Sequence, residues 1–467
     1  MLTAAMARGK RFDLGDRYPG LRPSIESAMP DNPFGRRTML RSAAVLGAAS
    51  LTPWPTACGR GDDALTFFFQ ANPEEADARM RIVDAFSRAH PDIPVRTVLS
   101  GPDPMQQMST FCAGGKCPDV LMAWELTYAG LADRGVLLDL TPMLARDRNF
   151  ATELNADSVG ALYQTFTFGG GQYAVGEQWS GNFLFYNRKL FAEANRAPPP
   201  TRWDQAWSFA EFLDAARALT KRDSAGKVTQ WGFVDTWVPY YSAGLFGMNN
   251  GTPWCTPRTN PTHLNLSDDA FIAGIQFYAD LANRHQVAPR PADQQSMSTM
   301  DLFSSGRAAM ALGGHWRYQT FSRAEGLDFD ITVLPVGPHG DRARSNIGTT
   351  GLAIAATSSR KEQAWEFVKF ATGPVGQGLI GESSLFVPVL TSAVGSPGFA
   401  KAHSNIRNLD VLRTGAANSG YLPVTPAWER IDALMDRDFG PVLRGIRPAT
   451  SLQAGLSHDV DEVLRSR

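Results

Sequence analysis

Indole rings set beside charged or amide side chains recur along this 467-residue chain. They stand at Trp124-Glu125, among Glu177, Trp179 and Asn182, at Asp235 and Trp237, at Trp316-Arg317 and at Trp428-Glu429. A flat aromatic face stacks on the C–H patch of a ring, while a neighbouring carboxylate, amide or guanidinium pairs with hydroxyls. A polar group left unpaired in such a site costs about 1–3 kcal/mol, so both components are needed together. Gln70 and Asn72, at the exit of the first strand-like run, extend the candidate set. Gly348 and Gly351 would let backbone approach a bound molecule, or serve as a turn before a strand. Trp207 and Trp365 fall in amphipathic segments and are expected in the core, as is Trp231.

Other chemistries find less support. There is no G-x-S-x-G elbow, zinc motif or phosphate-binding loop. A glycosidase needs two carboxylates about 5 to 9.5 Å apart, a distance that spacing along a chain does not give. The seven His form no paired spacing, so neither a metal nor a cofactor is expected. Cys112 and Cys117, in C-A-G-G-K-C, are expected to bridge a small loop, since zinc needs about four ligands. Cys255 then reads as a small buried hydrophobe. Tyr240-Tyr241 has the form of a ferric-ion pair, but packing is the simpler role.

Composition narrows the classes. Lys+Arg number 45 against 46 Asp+Glu, a net charge of -1, and only 19% of residues are charged. Nucleic-acid binding needs a basic face that displaces counterions, and no such run exists. A hydrophobic fraction of 43% is too high for disorder and too low for a polytopic membrane protein. The length suggests two lobes, at roughly 100–200 residues per domain.

Residues 1–58 read as an export signal. Arg36-Arg37 precede a small apolar run from Ser42 to Leu51 that is too short to span a bilayer, and Pro53 and Pro55 end it. The layout resembles a twin-arginine signal, and Cys58, after Thr56-Ala57 and before Gly59, resembles a lipobox cysteine. Further on, Leu65–Phe69 and Ile93–Leu99 read as strands flanking a helix over 79–90 that Pro91 stops. Pro118–Met122, Phe329–Leu334 and Leu352–Ala356 read as further strands. Helical periodicity covers 203–219, opening on Asp204, then 270–285 and 362–370. Strands alternating with helices predict an α/β fold with largely parallel sheets.

The motifs Gly171-Gln-Tyr-Ala-Val175, Leu184-Phe-Tyr-Asn-Arg-Lys-Leu-Phe191 and Pro198-Pro-Pro-Thr-Arg-Trp-Asp204 resemble those of extracellular solute-binding proteins, the sugar receptors of ABC importers akin to maltose- and trehalose-type binding proteins. Further blocks agree in order: Pro118-Asp-Val120 with Gly135-Val-Leu-Leu-Asp-Leu-Thr141, Phe303–Met310 with Gly314-His-Trp316, Leu334–Gly340, and Gly348–Ile354 leading into Ala364–Phe370. Gly176 replaces the family's usual proline, and Ser384–Pro388 replaces T-G-Y-L-P. The resemblance implies a two-lobed periplasmic-binding-protein fold: lobe 1 from 62–175 plus about 350–382, lobe 2 from 178–347 plus about 383–467, closing like a hinge. It places Trp124, Glu125, Trp316 and Trp428 at the cleft. It implies a mono- to oligosaccharide ligand, permease subunits as partners, a monomer, and membrane attachment if Cys58 carries lipid. Glycerol-phosphate-type solutes, for which Arg317 would be the cation, polyamines, and a carbohydrate-active enzyme are the rival readings.

Overall fold

The computed structural model describes residues 63–101, 104–294 and 297–466; residues 1–58, including Arg36, Arg37 and Cys58, lie outside them. The described chain opens on β1 (Leu65–Phe69), whose Leu65, Phe67, Phe68 and Phe69 are all buried. Helix α1 (Pro73–Ala89) starts six residues earlier than periodicity alone indicates. Asn72 accepts from the Glu75 amide while Glu75 accepts from the Asn72 amide, a capping box with Pro73 in the first turn. Its buried face carries Ile82, Val83 and Phe86. The chain continues through β2 (Val95–Leu99), α2 (Pro104–Ala113) and β3 (Val120–Trp124). A disulfide between Cys112 and Cys117 closes the turn after α2, and Cys255 is a buried thiol.

Strand β4 (Val175–Trp179) belongs to the first sheet and β5 (Asn182–Asn187) to the second, so the chain crosses between sheets at Ser180-Gly181. Helix α3 (Phe209–Leu219) opens on the Ser208–Glu211 capping box rather than on Asp204, whose carboxylate pairs with Arg202 instead. Next come β6 (Lys221–Arg222), β7 (Val228–Asp235), α4 (Pro239–Asn249), α5 (Asp269–Asn283), β8 (Ala308–Gly314) and β9 (Phe329–Thr332). The chain then returns through Ser345–Gly348 into β10 (Thr349–Ile354), followed by α6 (Lys361–Thr372), β11 (Val387–Pro388), α7 (Pro397–Ala402) and α8 (Trp428–Leu443).

The first sheet has the order β11-β4-β10-β3-β1-β2 and the second β9-β5-β8-β7-β6. The two-sheet α/β architecture agrees with expectation, but the strand directions do not. β1 is parallel to β2 and β3, and β7 to β8; the remaining pairs, among them β10 with β3 and β4, are antiparallel. A strand that enters a sheet on its return from the other one runs against its neighbours, so crossovers convert a parallel sheet into a mixed one. Val387–Pro388, expected in the second lobe, pairs with Trp179 and Gln178 at the edge of the first sheet. That edge position tolerates a residue without an N–H.

The crossings are tightly packed. The Ser180 amide donates to the Gly348 carbonyl at 2.6 Å, and Asn182 donates from its backbone and side-chain nitrogens to Asn346 Oδ1 at 3.1 and 2.7 Å. A Cβ on Gly181 would lie 2.4 Å from Trp179 Cζ2, and one on Gly348 would lie 2.6 Å from the Ser180 carbonyl oxygen. Only glycine lets the two crossings and the indole come this close.

Candidate functional site

The end of β3 supplies the first side of the site. Trp124, paired in register with Thr350, is half-buried. Glu125 follows, with its amide donating to the Thr349 carbonyl at 3.3 Å. Its side chain keeps partial contact with solvent but lies in a dense crevice, and the desolvation pushes its carboxyl up to about 8, against the opposing pull of backbone amides and Arg258. Arg258 comes from the second half of the chain. It donates to the Thr165 carbonyl at 2.7 Å and lies over the Tyr421 ring at 4.0 Å.

The second side is aromatic. Trp237 stacks on Tyr241 with ring centroids 5.2 Å apart, and Tyr241 stacks on Trp428 at 6.3 Å. Trp316 meets Trp237 edge-on at 6.4 Å. Helix α4 supplies Tyr240 and Tyr241, whose hydroxyls donate to the same Asp432 Oδ1 at 2.7 and 2.6 Å. Asp432 lies one helical turn after Trp428 on α8, so both point the same way. Asp235, at the end of β7, accepts from the Trp237 amide at 2.8 Å and from the Tyr278 hydroxyl. Burial pushes its carboxyl up, and these donors together with Arg317 oppose the shift.

Trp316 folds back over Gly314, where a Cβ would lie 1.8 Å from its Cζ3. Arg317 donates from Nη2 to the Thr236 carbonyl at 2.7 Å and sets Nη1 3.4 Å from the Met300 sulfur, while its buried Nε has no partner. Burial lowers its pKa, and the negative charges of Asp235 and Glu75 oppose this. Glu75 belongs to α1 and Arg317 follows β8, so charges carried by segments far apart in sequence act on each other here, as do those of Glu125 and Arg258.

Other candidate residues are placed elsewhere. Glu177 and Trp179 are 1% and 0% exposed on β4, and Asn182 is 0% exposed on β5. Glu177 is paired with Arg79 at 2.8 Å, Trp179 fills the space over Gly181 and Gly415, and Asn182 clamps Asn346. All three therefore act in the crossover, as does Gly348, and sequence proximity to an indole is what drew them into the set. Asn72 caps α1, Gln70 is exposed, and Glu429 points outward to solvent. Trp428 is 3% exposed because Tyr241 and the buried apolar side chains packed around α8 cover it.

Tyr278, Asp432, Arg258 and Tyr421 join the candidate site although no local motif marks them, and Tyr241, read from sequence as half of a tyrosine pair with a packing role, joins it too. For Tyr241 a partial signal was available: it stands four residues after Trp237, which precedes α4 and folds back to stack on it. Asp432 comes from 191 residues further along. Among the described residues, no group of three His, Cys, Asp or Glu is arranged to hold a metal ion, and no helix is long and apolar enough to cross a membrane.

Glu125 has a testable signature. Its folded-state value is raised, so the folded protein keeps a proton that the unfolded chain releases. The associated stability is fully present below about pH 4.5 and is lost as pH rises through about 8. The slope is at most about 1.4 kcal/mol per pH unit. Thermal unfolding of wild type and Glu125→Gln between pH 4.5 and 8.5 should show a steeper decline in wild type. Equal slopes would mean that the carboxyl ionises normally.

Residues 72–378 match the family model described as bacterial extracellular solute-binding protein. The maltodextrin-binding protein MdxE of Bacillus subtilis is 24% identical over 286 residues, 60% of this chain and 62% of that protein. The ABC substrate-binding protein Lmo0181 from Listeria monocytogenes, solved in complex with cycloalternan, superposes with a TM-score of 0.75 at 22% identity, covering 86% of this chain and 99% of that one. UgpB from Mycobacterium tuberculosis, solved in complex with glycerophosphocholine, superposes with a TM-score of 0.71 at 20% identity, covering 87% and 99%. These likenesses establish a shared two-lobed fold.

Proposed function

Because this chain belongs to the bacterial extracellular solute-binding proteins, we propose that it is the capturing receptor of an ABC importer and that its solute is a carbohydrate, from a mono- to an oligosaccharide. The observation that carries this reading is the ring cluster Trp316–Trp237–Tyr241, backed by the buried Trp428 and joined to Asp235 through the Trp237 amide. Stacking faces beside hydroxyl partners suit an uncharged ring. A Glu125 carboxyl pushed up to about 8 is a neutral hydroxyl donor at pH 7. The protein binds and hands its solute to permease subunits as a monomer, without catalysis. In this reading Cys58 is the lipid attachment point, and Cys58→Ser moves the protein from the membrane fraction to the soluble one.

A phosphate-bearing solute of the glycerophosphodiester type is the second reading, favoured by one feature: the buried Arg317 Nε without a partner. A polyamine fits less well, since Asp432 is already engaged by two tyrosines and Glu125 is held towards neutrality.

A thermal-shift panel separates these classes. A ligand at 100 times its Kd adds about 2.7 kcal/mol to the folded state. Maltooligosaccharides, chitooligosaccharides and common monosaccharides should include at least one that raises Tm. A shift with glycerophosphodiesters and none with sugars would transfer the assignment to the second reading, and hydrolysis products in the incubations would show an enzyme.

A further inference from the structure

Immediately before Trp316 lies a buried histidine that the binding reading does not use. His315 and His403 are 1% and 0% exposed and approach each other Nε2 to Nε2 at 2.9 Å. The Nδ1 atom of His315 is 3.1 Å from the Leu385 carbonyl oxygen, and that of His403 is 2.8 Å from the Phe399 carbonyl oxygen. A carbonyl only accepts, so each Nδ1 must carry its proton. Both Nε2 atoms are then bare in neutral rings, and two lone pairs would face each other at hydrogen-bond distance. Three contacts need three protons, whereas two neutral imidazoles bring two.

The pair occupies a junction. The His315 amide donates to the Gly181 carbonyl at 3.1 Å, in the crossing between sheets. Its side chain holds Leu385, which leads into the edge strand β11, and its chain neighbour is Trp316. His403 follows α7 directly. We propose that the His315–His403 pair positions Trp316 by tying its turn to both the crossing and the Leu385 segment, and that the tie closes when one proton is shared between the two Nε2 atoms. Without that proton one of the three contacts opens.

The surroundings set where the proton binds. Tyr318 stacks on His315 at 5.9 Å, and its ring centroid is 4.9 Å from that of His403, while Phe399 lies 4.1 Å from His403. Arg317 turns away to Thr236, and Lys401 on α7 and Glu382 before the Leu385 segment are exposed. No ion pair reaches either imidazole among the described residues. Burial holds His315 well below its ordinary value, aided by His403, and brings His403 to about 4. Sharing the proton pulls the other way, so the step falls on the acid side of ordinary imidazole.

The role of Trp316 in ligand contact rests on the proposed function, but the proton count does not, and it is tested without ligand. Nitrogen-15 spectra of the histidine side chains of the full chain, recorded from pH 7.5 to 3.5, should show His315 and His403 titrating together in one single-proton step. At pH 7.5 one ring should be in the Nε2–H form, with its Nδ1 contact given up. Two independent steps, or two Nδ1–H rings with no shared proton at any pH where the protein is folded, would overturn the proposal. The fluorescence difference between wild type and Trp316→Phe should shift over the same step. In His403→Gln the amide N–H donates permanently to His315 Nε2, so the pH-dependent shift should vanish. Its persistence there would show that the pair does not position Trp316, even if the sugar-binding assignment stands.

Discussion

Trp316→Ala is expected to weaken binding of the sugar identified in the thermal-shift panel by about thirty-fold or more, which corresponds to about 2 kcal/mol. The indole is half-buried, projects from a short helical turn at the end of β8 and meets Trp237 edge-on. Removing it takes away a stacking face and leaves the ring cluster open at one end. The cost to folding should be small by comparison, because the ring lies over Gly314 and is not enclosed by the core. Titration calorimetry on Trp316→Ala, Trp316→Phe and Glu429→Ala distinguishes the possibilities. Phe should retain part of the affinity, and the outward-facing Glu429 should be neutral. If Trp316→Ala binds as tightly as wild type, the ring does not touch the ligand.

The largest stability effect is expected at Glu177. This carboxylate and Arg79 are each almost fully enclosed and meet at 2.8 Å. The guanidinium lies 5.0 Å from the centre of the Phe386 ring and 5.7 Å from that of Phe69, and its buried Nε and Nη1 have no further partner. Burial raises the Glu177 pKa and Arg79 opposes the shift, so the pair exists against a substantial desolvation penalty. Glu177→Ala leaves a buried cation without its counter-charge and is expected to cost about 3–5 kcal/mol. In a chain of this size that lowers Tm by roughly 4–6 °C. Arg79→Met combined with Glu177→Leu should recover most of the loss, since the penalty arises from the uncompensated charge and not from missing volume. If Glu177→Ala alone unfolds near the wild-type temperature, water must reach Arg79 and the pair contributes little.

These two residues also show what could be read from the chain and what could not. Glu177 and Trp316 both belong to places where an indole stands beside a charged side chain in sequence, Glu177 with Trp179 and Trp316 with Arg317, and that shared feature placed both in the candidate set. What separates them is which side of β4 or β8 faces the crossover and which faces the site, a distinction fixed by packing between halves and invisible to a local pattern. Strands and helices were legible where apolar spacing was regular, as in β1 and α1. Their polarity was less so, because antiparallel pairing of β10 with β3 depends on a return crossing more than 200 residues later. Asp432 could not be found from spacing at all, since its partners Tyr240 and Tyr241 lie on another helix.

The shared Asp432 anchor bears on the entropy of recognition. Tyr240 and Tyr241 are fixed through one carboxylate oxygen, and Tyr241 is further held between Trp237 and Trp428. Freezing a rotamer-rich side chain at a binding surface costs about 0.5–1.5 kcal/mol. Here that loss of freedom accompanies folding and is complete before any solute arrives. In the proposed sugar-binding role the ring cluster would serve as a rigid template, so differences in affinity among ring-shaped solutes should reflect how well each matches its fixed contour and not how readily the tyrosines rearrange around it.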